Sequence, residues 1–200
     1  MSWLYERKTL RSEFAGDITL KRLFGRWEVH VGALYASCPY LRDMWRDAYR
    51  RLPRSFSAKR VLMLGMAGGD NVMLLAKRFP DAEQTFVEID PVMVRIADEI
   101  GLFPPTIRPR VVIGDATRVV REMDGTFDLA CVDIFSGGSV APEAFSDRFF
   151  ADIRALLAPR GIVLVNGYTR PELFGHATHA GLQEDSRWKW YANWMWMGSR

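Results

Sequence analysis

Short apolar runs alternate with helical patterns through the middle of the chain. Apolar runs bounded by turn residues predict strands, and apolar residues that recur every three or four positions predict helices. The predicted strands are 60–64, 85–89, 111–113, 127–132 and 162–166, and the predicted helices between them are 71–79, 92–100, 117–122 and 147–157. Strands alternating with helices predict an α/β fold with a doubly wound, mainly parallel, Rossmann-like sheet.

A different pattern occupies the start of the chain. Four apolar runs joined by glycine-containing turns predict short antiparallel strands at 4–10, 18–24, 27–31 and 34–37. We therefore expect a small N-terminal β-hairpin unit over residues 1–37 and the main domain over 38–200. A helix is predicted over 39–52, with Pro39 in its first turn and Pro53 beyond its end.

The C-terminal segment is aromatic. Trp188, Trp190, Trp194 and Trp196 fall on alternate positions, which predicts a strand over 187–197. A hairpin that turns at Ala192-Asn193 is the alternative. Only 34 residues follow Asn166, and we expect too little chain there for a complete final strand pair.

Composition narrows the class of protein. Hydrophobic residues make up 48% of the 200 residues, but no apolar run reaches the roughly 20 residues that span a bilayer. The first residues include an early acid and no apolar stretch typical of a secretory signal. We expect a cytoplasmic protein in which Cys38 and Cys131 are separate buried thiols. The chain has a net charge of +3, and its arginines are densest over 46–60. We interpret this cluster as the solvated face of a helix rather than as a nucleic-acid site.

A glycine-rich turn follows the first predicted strand. Gly65, Gly68 and Gly69 lie where that strand enters its helix, and glycine lets the backbone approach a ligand closely. Helix packing is the alternative role. Asp70 at the helix start would repel the phosphate of a dinucleotide such as NAD. We therefore expect S-adenosylmethionine, which has no phosphate and carries a cationic amine and sulfonium.

Acids end the next three predicted strands. A carboxylate at Glu88 is in the position that accepts hydrogen bonds from both hydroxyls of a ribose. Asp115 can accept from an adenine amino group or cap the following helix, and for Asp90 we favour the helix cap. Asp133 ends the fourth strand beside the topological switch point, where we expect a group that holds or deprotonates a nucleophilic amine.

Two other polar sites have competing interpretations. Tyr40 either closes over the ligand pocket or packs as a helix aromatic. His176 and His179 have the i, i+3 spacing of one helix face, but no third ligand is evident in the sequence, so we expect no metal.

These motifs together resemble the spermidine synthase family, a branch of the class I S-adenosylmethionine-dependent methyltransferase superfamily. The motifs are VLMLGMAGGD at 61–70, FVEID at 86–90, VIGDA at 112–116, Asp133, Pro142 and Phe149-Phe150. The resemblance extends upstream to 27–37 and 39–45 and covers residues 12–166.

The resemblance implies roles for individual residues. In that family the corresponding acids bind ribose, bind adenine and activate the amine, which implies these roles for Glu88, Asp115 and Asp133. Tyr40 matches a tyrosine that contacts the amine, although Leu41 replaces the glutamine that follows it. Gly68 stands where an aspartate grips the aminopropyl amine of decarboxylated S-adenosylmethionine, and a second acid beyond Asp133 is replaced near Ser136.

We therefore expect a spermidine-synthase-like transferase that uses S-adenosylmethionine or its decarboxylated form, without a metal. The acceptor is expected to be small and to carry an amine, with methyl transfer favoured over aminopropyl transfer, and a homodimer is left open. The expected catalytic residues are Asp133 and Tyr40, and the expected cofactor-binding residues are Gly65, Gly68, Gly69, Asp70, Glu88, Asp115 and Ala116. The alternative is a non-catalytic nucleoside-binding homologue that acts through dimerisation or a protein partner.

Overall fold

The computed structural model describes residues 5–101, 109–136, 139–141 and 144–200. Its N-terminal part is a four-stranded antiparallel sheet, in which neighbours along the chain are neighbours in space. The strands are β1 (Tyr5–Ser12), β2 (Gly16–Leu23), β3 (Arg26–Val31) and β4 (Leu34–Ser37). The four predicted N-terminal strands are thus all present, and α1 (Pro39–Arg51) follows them.

The rest of the described chain alternates as its apolar pattern predicts. In order, the elements are β5 (Arg60–Leu64), α2 (Asp70–Arg78), β6 (Glu83–Glu88), α3 (Pro91–Glu99), β7 (Arg110–Ile113), α4 (Ala116–Glu122), β8 (Phe127–Val132), β9 (Phe135–Ser136), β10 (Ser139–Val140), α5 (Asp147–Leu156), β11 (Leu157–Tyr168), α6 (Phe174–His179), β12 (Gln183–Trp190) and β13 (Asn193–Ser199).

Seven of these strands form one sheet in the order β12-β13-β11-β8-β5-β6-β7. The five strands from β11 to β7 are parallel, and β13 and β12 add to the edge as an antiparallel pair. This confirms the doubly wound α/β fold. The strand order reverses between β5 and β8, so the switch point lies where Asp133 was expected.

The expectation of too little chain for a final strand pair is wrong. An antiparallel pair needs only a short turn, and two residues, Tyr191 and Ala192, suffice to join β12 to β13. The hairpin alternative is therefore the one that occurs, with its turn one residue earlier than Ala192-Asn193.

The central strands are buried on both faces. On β5, Leu62 and Leu64 pack with the cluster that includes α4, α5 and α6, whereas Val61 and Met63 pack with α1 and α2. Successive side chains of a strand point to opposite faces, so one apolar run supplies both cores. The two helical layers hold the parallel strands and expose only their ends.

The N-terminal sheet is attached to α3. Ile18, Leu20 and Val29 pack against Met93 and Ile96. At the same junction the Ser12 hydroxyl donates a hydrogen bond of 2.6 Å to the Asp90 carboxylate at the start of α3. The small sheet is thereby held beside the carboxyl end of β6.

Other expectations concern composition. Cys38 and Cys131 are free and buried, as predicted. Within the arginine cluster, Arg51 pairs with Asp47 on α1 at 2.7 Å, so the charged face of that helix is partly self-compensated. Among the described residues, none of the helices is long and apolar enough to cross a membrane.

Gly68 joins the two parts of the molecule by close packing. A Cβ atom built on Gly68 would lie 2.4 Å from the Ser37 Cβ and 3.1 Å from the Val29 Cγ2. The glycine loop after β5 therefore touches β4 and β3 so closely that no side chain fits between them.

We predict that Gly68→Ala lowers the free energy of unfolding by about 1–3 kcal/mol, since the added methyl group overpacks this contact. Gly175→Ala on α6 is the matched control, because its Cβ would meet nothing within 4 Å. The control should be neutral or stabilising by up to about 1 kcal/mol. Chemical denaturation measures both, and equal stability of the two variants would contradict the packing role of Gly68.

Candidate active site

A cavity of about 670 Å³ lies at the carboxyl ends of the parallel strands. This volume is typical of sites for small ligands. Residues that follow β5, β6, β7, β8 and β11 form its floor, and residues of β3, β4 and the β12–β13 turn form its sides. The cavity therefore occupies the position at which open α/β sheets bind their ligands.

Gly65 brings the loop after β5 against the end of β8. Its φ is +86°, and a Cβ atom there would lie 2.1 Å from the Asp133 carbonyl oxygen. Only glycine satisfies both the positive φ and this approach. Gly65 and Ala67 both line the cavity, and the Gly65 N–H is bonded to the Val87 carbonyl at 2.8 Å, so this loop can offer a ligand close approach and carbonyl groups.

Glu88 lines the cavity and also holds the glycine loop. Its Oε2 accepts hydrogen bonds from the backbone N–H groups of Met66 and Ala67 at 2.9 and 3.0 Å, and its Oε1 accepts one from Asp90 at 2.9 Å. Burial raises the pKa of Glu88, and these donors oppose that rise. A carboxylate has about four acceptor sites, so about one remains for a ribose hydroxyl rather than the expected two.

The other two strand-end acids cap helices. Asp90 accepts a hydrogen bond from the Val92 N–H at 2.9 Å, which supports the favoured cap role. Asp115 accepts from the Thr117 N–H at 2.8 Å and also lines the cavity together with Ala116. Capping and a contact with a ligand are thus compatible at Asp115.

The structure corrects the expected role of Asp70. Its carboxylate accepts a hydrogen bond of 2.5 Å from the Ser37 hydroxyl and pairs with the Arg42 guanidinium at 2.8 Å. The charge that was expected to repel phosphate is therefore compensated, because α1 delivers an arginine to it. Asp70 lies outside the cavity lining, as do Gly68, which packs on β4, and Gly69, which is the N-cap of α2 with φ +89°.

Asp133 lies at the bottom of the cavity with one fixed donor on each oxygen. The Asn166 amide donates to Oδ1 at 2.8 Å, and the Trp45 indole N–H donates to Oδ2 at 2.9 Å. Burial raises the pKa of Asp133 to about 6, against the opposing effect of these two hydrogen bonds. The carboxyl is consequently poised to exchange a proton close to neutral pH.

Both donors are themselves fixed in place. Trp45 and Asn166 are 2% and 1% exposed. The Asn166 Oδ1 accepts a hydrogen bond of 3.0 Å from the Tyr168 N–H, which directs the amide nitrogen toward Asp133. Neither donor can accept a proton in this arrangement, so within this group of three side chains Asp133 is the one that can take a proton from a ligand.

Tyr40 lines the cavity, but its hydroxyl points to the hairpin. It donates a hydrogen bond to the Trp190 carbonyl at 3.0 Å and accepts one from the Asn193 amide at 2.7 Å. Burial raises the pKa of Tyr40, so the phenol stays neutral. The structure thus gives Tyr40 a place in the wall, and Trp45 rather than Tyr40 contacts the Asp133 carboxylate.

Two aromatic pairs flank the cavity. Tyr40 meets Tyr191 edge-on with ring centroids 5.5 Å apart, and Phe135 meets Tyr168 edge-on at 5.8 Å. All four residues line the cavity, and aromatic faces attract cations. The described walls therefore offer aromatic rings on which a cationic group of a ligand could pack.

Comparison with known proteins agrees with this geometry. Residues 61–161 match the family model described as a methyltransferase domain. The chain belongs to this family. It is also similar to the polyamine aminopropyltransferase of Vibrio vulnificus, with 29% identity over 59% of this chain and 40% of that protein. The chain is likewise similar to the eEF1A lysine and N-terminal methyltransferase homolog of Drosophila melanogaster, with 31% identity over 60% of this chain and 19% of that protein.

Solved structures give the same fold. A probable spermidine synthase from Corynebacterium glutamicum superposes with a TM-score of 0.74 at 19% identity, covering 96% of this chain and 79% of that one. The match includes both the N-terminal sheet and the main sheet, since it leaves out only a small part of the chain. The chain therefore shares the fold of that structure in addition to its methyltransferase domain, and it spans less than half the length of the two relatives named above.

We predict that Trp45→Phe raises the pKa of Asp133 above about 6, because it removes a donor that stabilises the carboxylate. Carboxyl carbon NMR measures the titration. Trp188→Phe is the matched control, since the described residues supply no acceptor to the Trp188 indole N–H. An unchanged Asp133 titration in Trp45→Phe, or an equal change in the control, would contradict the proposed hydrogen bond.

Proposed function

We propose that this chain is a transferase that moves the methyl group of S-adenosylmethionine to an amine nitrogen. The observation that carries the proposal is the Asp133 carboxylate, which two buried donors hold at the bottom of a nucleoside-sized cavity. Family membership supports S-adenosylmethionine as the donor of the methyl group. The position and the pKa of Asp133 support an amine as the acceptor of that group.

The cavity floor fits the parts of a sulfonium nucleoside. Glu88 would hold a ribose hydroxyl with its remaining acceptor site, and Asp115 would accept from the adenine amino group. The half-buried loop at Gly65 and Ala67, which lines the cavity, would lie along the amino acid chain of the ligand. When bound, S-adenosylmethionine supplies a carbon that its sulfonium already activates for attack.

Asp133 would act on the acceptor. Its carboxylate would bind the ammonium, take one proton and orient the free amine toward the activated carbon. The carbon–nitrogen bond forms as the carbon–sulfur bond breaks, and the proton stays on Asp133 until it is released to water. Much of the acceleration would come from positioning, which Trp45 and Asn166 serve by fixing the carboxylate.

The relatives support an amine as the acceptor. One group is named as polyamine aminopropyltransferases and the other as lysine and N-terminal methyltransferases. Polyamines, lysine side chains and chain N-termini share a basic amine that must lose a proton before it attacks carbon. The common feature of these reactions is the task that Asp133 is placed to perform.

The glycine loop favours methyl over aminopropyl transfer. A side chain at Gly68 is excluded by Ser37, so the loop offers no carboxylate at that position for the amine of decarboxylated S-adenosylmethionine. The neighbouring acid, Asp70, is paired with Arg42 outside the cavity. The loop therefore places no uncompensated acid against the carboxylate of intact S-adenosylmethionine.

A transfer assay tests this function directly. The protein is incubated with either S-adenosylmethionine or its decarboxylated form and with a panel of amines that includes putrescine, free lysine and a lysine-containing peptide. Mass spectrometry should find a methylated amine with the first donor. An aminopropylated product with the second donor would contradict methyl transfer and show that the reaction is aminopropyl transfer. The absence of any product with either donor would contradict the proposal that the chain is a transferase.

We predict that the rate of transfer falls as pH drops through about 6, because Asp133 becomes protonated there and can no longer take a proton. Asp133→Asn should lower turnover on the order of 10²–10⁴-fold and abolish this acidic limb, while nucleoside binding persists. Asp185→Asn, an exposed acid on β12, is the control and should change neither. An acidic limb that survives in Asp133→Asn would rule out Asp133 as the base.

A further inference from the structure

Three possible metal ligands meet on the surface between α5 and α6. His176 and His179 lie one helical turn apart on α6, and Asp147 lies in the first turn of α5. One donor atom from each residue lies within 4.8 Å of the others. The i, i+3 spacing of the histidines was visible in the sequence, but their third partner comes from 29 residues earlier in the chain.

The donor set and its spacing suit a zinc-type ion. Two imidazoles and one carboxylate, with water as the fourth ligand, form a recurrent zinc site. Bond lengths near 2.0–2.2 Å place tetrahedral donors about 3.4 Å apart. The Asp147 Oδ1 lies 2.5 Å from the His176 Nδ1 and 3.8 Å from the His179 Nδ1, so small side-chain rotations reach that geometry.

The two helices that present these side chains are firmly anchored. On α5, Phe149 and Phe150 are buried, and the Ser146 hydroxyl accepts a hydrogen bond from the Phe149 N–H at 3.2 Å. On α6, Phe174 and Ala177 are fully buried. The exposed ligands can therefore rotate while their backbones hold the spacing.

Charge around the cluster also permits a cation. The nearest arginine in sequence, Arg148, pairs with Asp152 at 2.9 Å, and Arg170 before α6 pairs with Glu172. These two arginines therefore leave the Asp147 carboxylate to the two histidines. In the structure Asp147 and His176 share a hydrogen bond. A metal ion that binds both side chains would have to displace the proton of this hydrogen bond.

We propose that Asp147, His176 and His179 form a zinc site that joins α5 to α6. The three residues lie outside the lining of the catalytic cavity, so this site is independent of the transferase function proposed above. Zinc here would tie the two helices together at the surface and stabilise the layer that they form on the sheet.

Calorimetry of the metal-free 200-residue chain with zinc chloride tests the site. One ion should bind per chain. Loss of an outer partner alone typically weakens a metal site about 10–100-fold, so His176→Gln and His179→Gln should each weaken binding at least that much. The two side chains are 43% and 72% exposed, so both variants should fold, and their thermal transitions without zinc verify this.

His30→Gln is the matched control, since it changes the remaining histidine of the three in the chain and should leave zinc binding unchanged. Cobalt(II) provides a second readout, because ligation by Cys38 or Cys131 would give an intense thiolate charge-transfer band that this site should lack. Absence of zinc binding would overturn the proposal. Binding that persists in both α6 variants, or a thiolate band, would place the ion elsewhere and overturn it equally.

Discussion

The arrangement of the loops at the carboxyl ends of the parallel strands, where the cavity lies, depends on the buried carboxylate of Glu88. Its side chain accepts three backbone N–H groups, two from the glycine loop after β5 and one from the start of α3. Its carbonyl oxygen accepts the Gly114 N–H at 2.9 Å, after β7. One residue at the end of β6 therefore connects three strand ends, and the shape of the cavity depends on that connection. Removing water from this carboxylate is costly, and the three donors offset the cost.

Asp133 is another acid of the same edge, and its hydrogen-bond donors differ from those of Glu88. It has two side-chain donors in place of three backbone donors, and the negative charge of Glu88 adds to the rise in its pKa. The three backbone bonds commit Glu88 to holding the loop, and we propose that Asp133, whose pKa burial raises to about 6, is the group that exchanges a proton. The account of function rests on this division.

The sequence predicts the sheet and the strand-end acids, because both follow from local patterns. Alternating strands and helices place Glu88, Asp115 and Asp133 at one edge, and the structure brings all three to one cavity. Asn166 ends the next parallel strand and could have been found by the same rule. The final hairpin was predicted only as the alternative to a single strand, because the length that an antiparallel pair requires was overestimated.

Other features depend on contacts that no local pattern contains. Trp45 belongs to the apolar stripe of α1, and only the fold brings its indole N–H to an acid 88 residues away. Asp70 was expected to act as an uncompensated charge, but Arg42 on α1 neutralises it. The spacing of His176 and His179 predicts a shared face, yet the carboxylate beside them belongs to another helix. Partners that are distant in sequence thus decide whether a polar residue serves structure or chemistry.

The central claim is that the cavity accepts an intact sulfonium nucleoside at an edge shaped by Glu88 and Gly65. Calorimetry with S-adenosylmethionine, decarboxylated S-adenosylmethionine and methylthioadenosine measures this most directly. The account predicts that all three bind and that S-adenosylmethionine binds more tightly than its decarboxylated form. Tighter binding of the decarboxylated form would contradict the preference for methyl transfer, and failure of all three to bind would contradict the nucleoside site itself.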